Sequence, residues 1–295
     1  MPLTTKNTVF ILTYCEADFF TNTAWSQVDH SNYNFIVLDN GKQDAVKKYC
    51  EENHWEYYAS EYNIGSTGGY NWIFRAASML ELERAALVQA DVEICSIETI
   101  DLLFSNDTPD PLVDETSILM WPQTGPENWL GKEYLEGFGG SGFIARLSEG
   151  CPVNLGQIFS FNPNHLIFNH LLNDENYVVT HFDDVDLRHR LTYSGVRVCN
   201  LAWLYDYKNK WVSTTNQHMG GYVDGLYKIH HISSQIQNHQ NWHDYNLKYY
   251  EDKCSGKGMD SNKWHQAALR WTEVGYPPFP IEHELNRWWS LRGNK

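Results

Sequence analysis

The chain has 295 residues, 42% of them hydrophobic and 15% aromatic, enough to bury one large core or one core with an appendage. A formal net charge of −15 opposes general nucleic-acid binding, whose affinity comes largely from Lys and Arg neutralising phosphates. No apolar run approaches the roughly 20 residues that span a bilayer. The segment Met1–Lys6 lacks the charged-then-apolar plan of a signal peptide, so a soluble, cytoplasmic protein is expected. The cysteines at 15, 50, 95, 151, 199 and 254 form no C-x-x-C pair, which argues against a zinc site or a disulfide scaffold and fits free thiols.

Thr8–Tyr14 is a short β-rich apolar run, as expected of a strand buried on both faces, and a helical stretch follows around 18–27. Asn34–Leu38 is the second buried strand and ends in the turn Asp39-Asn40-Gly41. Residues 44–53 read as a helix and 55–60 as a third strand. A glycine-rich loop, Asn63–Gly69, leads into a helix over 70–82, and Ala85–Val88 is the fourth strand, with Asp91 and Glu93 just beyond it. This β-α-β-α order predicts an α/β fold with a mostly parallel sheet and right-handed crossovers. In such sheets ligands bind outside the C-terminal strand ends, where Tyr14, Asp39, Asn63 and Asp91 all fall.

Ser117–Trp121 reads as a further strand. The glycines of Gly137–Gly142 permit close backbone approach to a ligand, or a bulged strand. The run Phe182–Leu191 places Asp183, Asp184 and Asp186 ahead of a helical pattern that stops at Gly195. Capping a helix needs one carboxylate, so the others are available as a general base or metal ligands. Beyond about Lys208 the chain turns rich in Trp, Tyr, His and Asn, with helices expected near 231–252 and 261–272. Its tryptophans serve as packing or as stacking platforms for a sugar or base. The histidines, including the pair His230-His231, show no metal spacing and read as surface or packing residues.

Taken in order, these segments resemble glycosyltransferase family 2, the inverting GT-A enzymes, and within it the rhamnosyltransferase-like branch. The resemblance covers roughly residues 8–205. Thr13-Tyr14 is similar to the family's P-T-Y-N segment, and Phe35–Asp44 to V-V-D-[DN]-G-S-x-D. Asn63–Asn71 is similar to N-x-G-x-x-G-a-x-N, and Gln89–Glu93 stands where the family has D-x-D or N-P-D-V. His181–Leu187 with Gly195–Val198 resembles F-E-D-V-D-L…G-y-r-v.

The resemblance implies a GT-A (Rossmann-like) catalytic domain over 1–208, with nucleotide-sugar binding in 1–95 and the acceptor side in 96–208. A helical, aromatic-rich extension over 209–295 would pack on it. Thr13, Tyr14, Glu16, Asp39, Asn40, Asn63, Gly65, Gln89 and Ala90 would bind the nucleotide sugar, with Asp39 on the base. Asp91, with Glu93, would hold Mn²⁺ or Mg²⁺ on the diphosphate of a UDP- or dTDP-sugar. Gln89 stands where the family has its first aspartate. Asp184, assisted by Asp183, would be the general base, and Gly140, Ser141 and Asp186 would face the acceptor, a glycan or small molecule. Asp206 or His218 stands in for a family histidine that completes the metal shell. Two other readings are open: a non-catalytic nucleotide-sugar-binding module, and a transferase acting on modified DNA bases, which the acidic charge disfavours.

Overall fold

The computed structural model describes residues 6–60, 63–109, 113–122, 157–168, 171–173, 186, 187, 191, 196–213, 221–230 and 232. A seven-stranded sheet forms its centre, in the order β3-β2-β1-β4-β7-β6-β8. The strands are β1 (Thr8–Thr13), β2 (Asn34–Asp39), β3 (Glu56–Ala59), β4 (Ala85–Gln89), β6 (Ile118–Met120), β7 (Ile158–Phe161) and β8 (Val198–Asn200). β1 to β4 run parallel, β7 is antiparallel to both its neighbours, and β6 pairs parallel with β8. The expected mostly parallel sheet flanked by helices is therefore present.

All six residues of β1 are buried, because both faces of the sheet are covered. The two-residue strand period divides its side chains between two cores. Phe10 and Leu12 join Ile36, Leu38 and Leu87 on the face covered by α3 (Gly65–Met79) and α5 (Pro163–Phe168). Val9 and Ile11 join Phe35, Val37 and Val88 on the face covered by Phe20, Trp25 and α2 (Asp44–Glu52). β3, at the sheet edge, is only half-buried along its length.

Three local outcomes differ from the sequence reading. The first helical stretch is a short α1 (Ala17–Phe19) that continues as a π turn over Phe20–Ala24. The glycine-rich segment is the opening turn of α3 rather than a loop ahead of it. Gly65 takes a left-handed φ of 72°, and a Cβ on Gly69 would lie 2.6 Å from Leu12 Cδ1, so a side chain there would force Leu12 of β1 to shift. Third, a 3₁₀ turn over Tyr207–Lys210 leads into short strands that the sequence reading did not anticipate. β9 (Trp211–Ser213), β10 (Gly221–Val223) and β11 (Tyr227–Ile229) join β5 (Val92–Ile94) in a second sheet of order β5-β11-β10-β9. Residues 211–213 and 221–229 thus share a sheet with the strand following Asp91, and the helices expected near 231–252 and 261–272 lie outside the described residues. Among the described residues no helix is long and apolar enough to cross a membrane.

Candidate functional site

Because β1 to β4 are parallel, their C-terminal ends share one edge, and backbone bonds continue past the strands to hold the loops there. Asn40 N–H donates to Thr13 O at 2.8 Å, Ser60 N–H to Asp39 O at 3.0 Å, and Ala90 N–H to Leu12 O at 3.0 Å. Gly41 packs so tightly on the first loop that a Cβ would fall 1.9 Å from Tyr14 O.

Two buried carboxylates organise this rim. Glu16 Oε2 accepts the Thr13 hydroxyl at 3.1 Å and the N–H groups of Tyr14 and Cys15 at 2.7 and 2.9 Å. Asp39, fully buried, accepts Gly41 N–H (2.7 Å) and the Gln43 side-chain amide (3.1 Å) on Oδ1. On Oδ2 it accepts Gln43 N–H (2.6 Å) and the Tyr57 hydroxyl (3.0 Å). Gln43 also accepts Ala17 N–H at 3.1 Å, tying the first and second loops together. Asn40 links the second loop to α3, donating to Gly65 O at 3.1 Å and accepting the Ser60 hydroxyl at 3.2 Å. Asn63 accepts Gly65 N–H at 2.8 Å, and the side-chain amide of Gln89 donates to the Tyr70 hydroxyl. Burial first, then the charges of Glu16 and Asp91, push the exposed-edge thiol of Cys15 up to about 12, so it is unreactive as a thiolate at neutral pH.

Asp91 is different from every other rim residue. It is 1% exposed, and among the described residues neither carboxylate oxygen has a hydrogen bond of ordinary geometry. Its own N–H and that of Ile232 face it and pull its pKa down, but burial, reinforced by the charge of Glu16, wins and pushes it up to about 7. An uncompensated buried carboxylate is costly to the fold, which is the mark of a residue kept for chemistry. The buried Asp91 carboxylate within the field of Glu16 suits a hard divalent ion with oxygen ligands. Among the described residues no three His, Cys, Asp or Glu side chains form a metal cage. That donor set fits an ion held by one or two carboxylates whose remaining ligands come from a phosphate.

Glu93, expected beside Asp91 on the metal, is engaged elsewhere. Its Oε1 accepts Gln27 at 3.0 Å and Lys228 at 3.3 Å, and its Oε2 lies 3.0 Å from His230 Nε2. Burial would raise this carboxyl, but its bonds to His230 and Lys228 outweigh that and hold it low. The β5–β11 register explains the cluster: Lys228 lies opposite Glu93, and His230 N–H donates to Asp91 O at 3.0 Å. The His230 ring rests on Phe19, with centroids 4.5 Å apart. Sequence reasoning missed Gln27, Lys228 and His230 as partners of Glu93, and His230 as a backbone partner of Asp91. The only signal was the alternation in Tyr227–Ile229, too short to pair without the partner strand.

The edge thus brings together Thr13, Tyr14, Glu16, Asp39, Asn40, Asn63, Gly65, Gln89, Ala90 and Asp91. Asp186 is helical and fully buried, next in sequence to Leu187 of the core beneath α3. Asp206 is exposed in a left-handed turn after α6 (Leu201–Leu204), with φ 57°. Asp183, Asp184, Gly140, Ser141 and His218 lie outside the described residues.

No protein-family model matches the sequence, and no curated protein matches it significantly. Several solved structures are similar to it. A mannosyltransferase from Pyrobaculum calidifontis, in complex with GDP-Man and Mn²⁺, is 13% identical, with 98% of this chain and 81% of that one covered and a TM-score of 0.49. TarS of S. aureus is 16% identical at a TM-score of 0.43; the match covers 66% of this chain but only 35% of TarS, about a third of its length. Glucosyl-3-phosphoglycerate synthase from Mycobacterium tuberculosis, in complex with Mn²⁺, UDP and glucosyl-3-phosphoglycerate, is 10% identical, with 66% and 70% covered and a TM-score of 0.42.

Proposed function

We propose that this chain is a metal-dependent, inverting glycosyltransferase of the GT-A type, moving a sugar from a UDP- or dTDP-sugar to an acceptor hydroxyl on a glycan or small molecule. The observation that carries the reading is the Asp91 carboxylate, buried just past the C-terminal end of β4, within the field of Glu16 and, among the described residues, without a hydrogen bond of ordinary geometry on either oxygen. The motif order of the sequence supports it independently. In this reading Asp91 holds Mn²⁺ or Mg²⁺, and the ion supplies charge neutralisation to the departing diphosphate. Glu16 keeps the site negative while fixing the backbone of Tyr14 and Cys15. His230, bonded through its backbone N–H to the Asp91 carbonyl and through Nε2 to Glu93, is a better placed further ligand than the exposed Asp206. Glu93 then orients that imidazole.

Asp184 takes the proton from the acceptor hydroxyl as the new C–O bond forms on the face opposite the leaving group, which inverts the anomeric carbon. Asp183 and Asp186 set the charge around it, and Gly140 and Ser141 line the acceptor side. Nucleotide release from UDP-, dTDP- and GDP-sugars, with Mn²⁺ or EDTA, tests the whole reading. One donor should turn over with metal only, and Asp91→Ala and Asp184→Asn should each lower kcat at least about 100-fold. Metal-dependent binding of a donor that no acceptor converts into release would favour a non-catalytic module. A folded protein that binds no donor would remove the proposal.

A further inference from the structure

Asp39 is fully buried, so any ligand that bonds its carboxylate must displace a donor already there. A carboxylate offers about four lone-pair sites, and all are engaged: Gly41 N–H and the Gln43 amide on Oδ1, Gln43 N–H and the Tyr57 hydroxyl on Oδ2. Three of these donors are locked by the local chain. Both N–H groups belong to the turn that Asp39 itself opens, and the Gln43 amide also reaches Thr13 and Ala17. Tyr57 is held differently. It lies on β3, the edge strand, is half-buried, and reaches Asp39 only through the last atom of its side chain. Burial and the Asp39 charge both raise its pKa, so the hydroxyl stays protonated and remains a donor.

We propose that Tyr57 is a stand-in donor on Asp39 that yields to the imino N–H of a nucleobase, and that this exchange selects uracil, thymine or guanine over cytosine and adenine. The inference rests on reading this rim as a nucleoside-diphosphate site. A phenol O–H and an imino N–H are both neutral single donors, so the swap leaves Oδ2 satisfied. Cytosine and adenine present a ring-nitrogen lone pair at the corresponding position, which meets the carboxylate lone pairs and gains nothing.

Calorimetric binding of UDP, dTDP, GDP, CDP and ADP in Mg²⁺ to wild type, Tyr57→Phe and Tyr57→Leu tests the exchange. Removing the hydroxyl leaves Oδ2 one donor short in the free protein but not in the complex. Tyr57→Phe should therefore bind the accepted imino-bearing nucleotide roughly three- to tenfold more tightly than wild type, with CDP and ADP unchanged. Which of UDP, dTDP and GDP gains separates a pyrimidine site from a purine site. The free variant should melt below wild type and the nucleotide-saturated variant at the wild-type temperature. Tyr57→Leu removes the ring as well, so a gain shared by both variants belongs to the hydroxyl. Unchanged or weaker binding of the imino-bearing nucleotides by Tyr57→Phe, or an equal gain for all five, overturns the exchange while the site reading stands. No binding of any of the five to folded wild type overturns both.

Discussion

Asp39 ends β2 and Asp91 follows β4, the two neighbours of β1, and they look alike in the sequence, yet the fold treats them in opposite ways. Asp39 receives four donors and stabilises the rim, whereas Asp91 receives none of ordinary geometry and carries a charge the fold does not balance. Asp91→Asn should therefore stabilise the metal-free protein by about 1–3 kcal/mol at pH 8, raising Tm by several degrees in EDTA. The same variant should lose the further Tm rise that Mn²⁺ with nucleotide gives to wild type. A lower Tm in EDTA would mean that the carboxylate is well bonded in the fold. Glu93, two residues away, illustrates the limit of spacing arguments. A carboxylate beside a metal motif reads as a ligand, but strand alternation and the β11 partner turn it toward Lys228 and His230.

At the scale of elements, α3 connects the rim to the opposite core. Its first turn is held by Asn40 and Asn63, its glycines let it close on β1, and Asn71 in its middle turn bonds both backbone groups of Asn173. The Asn71 amide donates to Asn173 O at 3.0 Å and accepts Asn173 N–H at 2.8 Å, with both residues fully buried. A side chain that mimics a strand partner in this way is costly to remove, because it leaves two buried backbone groups unpaired. Asn71→Ala should destabilise the protein by about 2–4 kcal/mol in urea unfolding, against less than about 1 kcal/mol for alanine at an exposed helical position such as Lys48. The strands β1, β2 and β4 were legible because their apolar runs are buried on both faces. β3 and β6 were read as well, within the longer runs 55–60 and Ser117–Trp121, whereas β7, β8 and β9–β11 were not, since so short a run carries too few periods to separate strand from helix.

Across the whole molecule, a half-buried histidine and a buried aspartate give stability opposing pH dependences. His30 lies against Trp25, Phe35 and Trp55, with centroids 6.4, 5.4 and 5.0 Å away, at the end of the sheet opposite the rim. Burial lowers its pKa below the ordinary 6.5, with Asp29 opposing, so the unfolded chain takes up the proton first. Its contribution is full above pH 6.5 and is lost as pH falls below it. Asp91, raised to about 7 from 3.8, behaves inversely: the stability of its neutral form is full below 3.8 and is lost as pH rises through 7. Urea midpoints at pH 5, 6 and 8 should show His30→Phe gaining on wild type only at the two lower values, and Asp91→Asn gaining most at pH 8. What the sequence determined by itself was the α/β class, the parallel first half and the row of polar residues at its strand ends, because those follow from local periodicity and the right-handed crossover. The tertiary structure decided which of those polar groups are bonded and which are left bare. Asp39 is satisfied by Tyr57 from the edge strand, and Glu93 by Lys228 and His230 from 135 and 137 residues away, contacts that only chain folding can bring together.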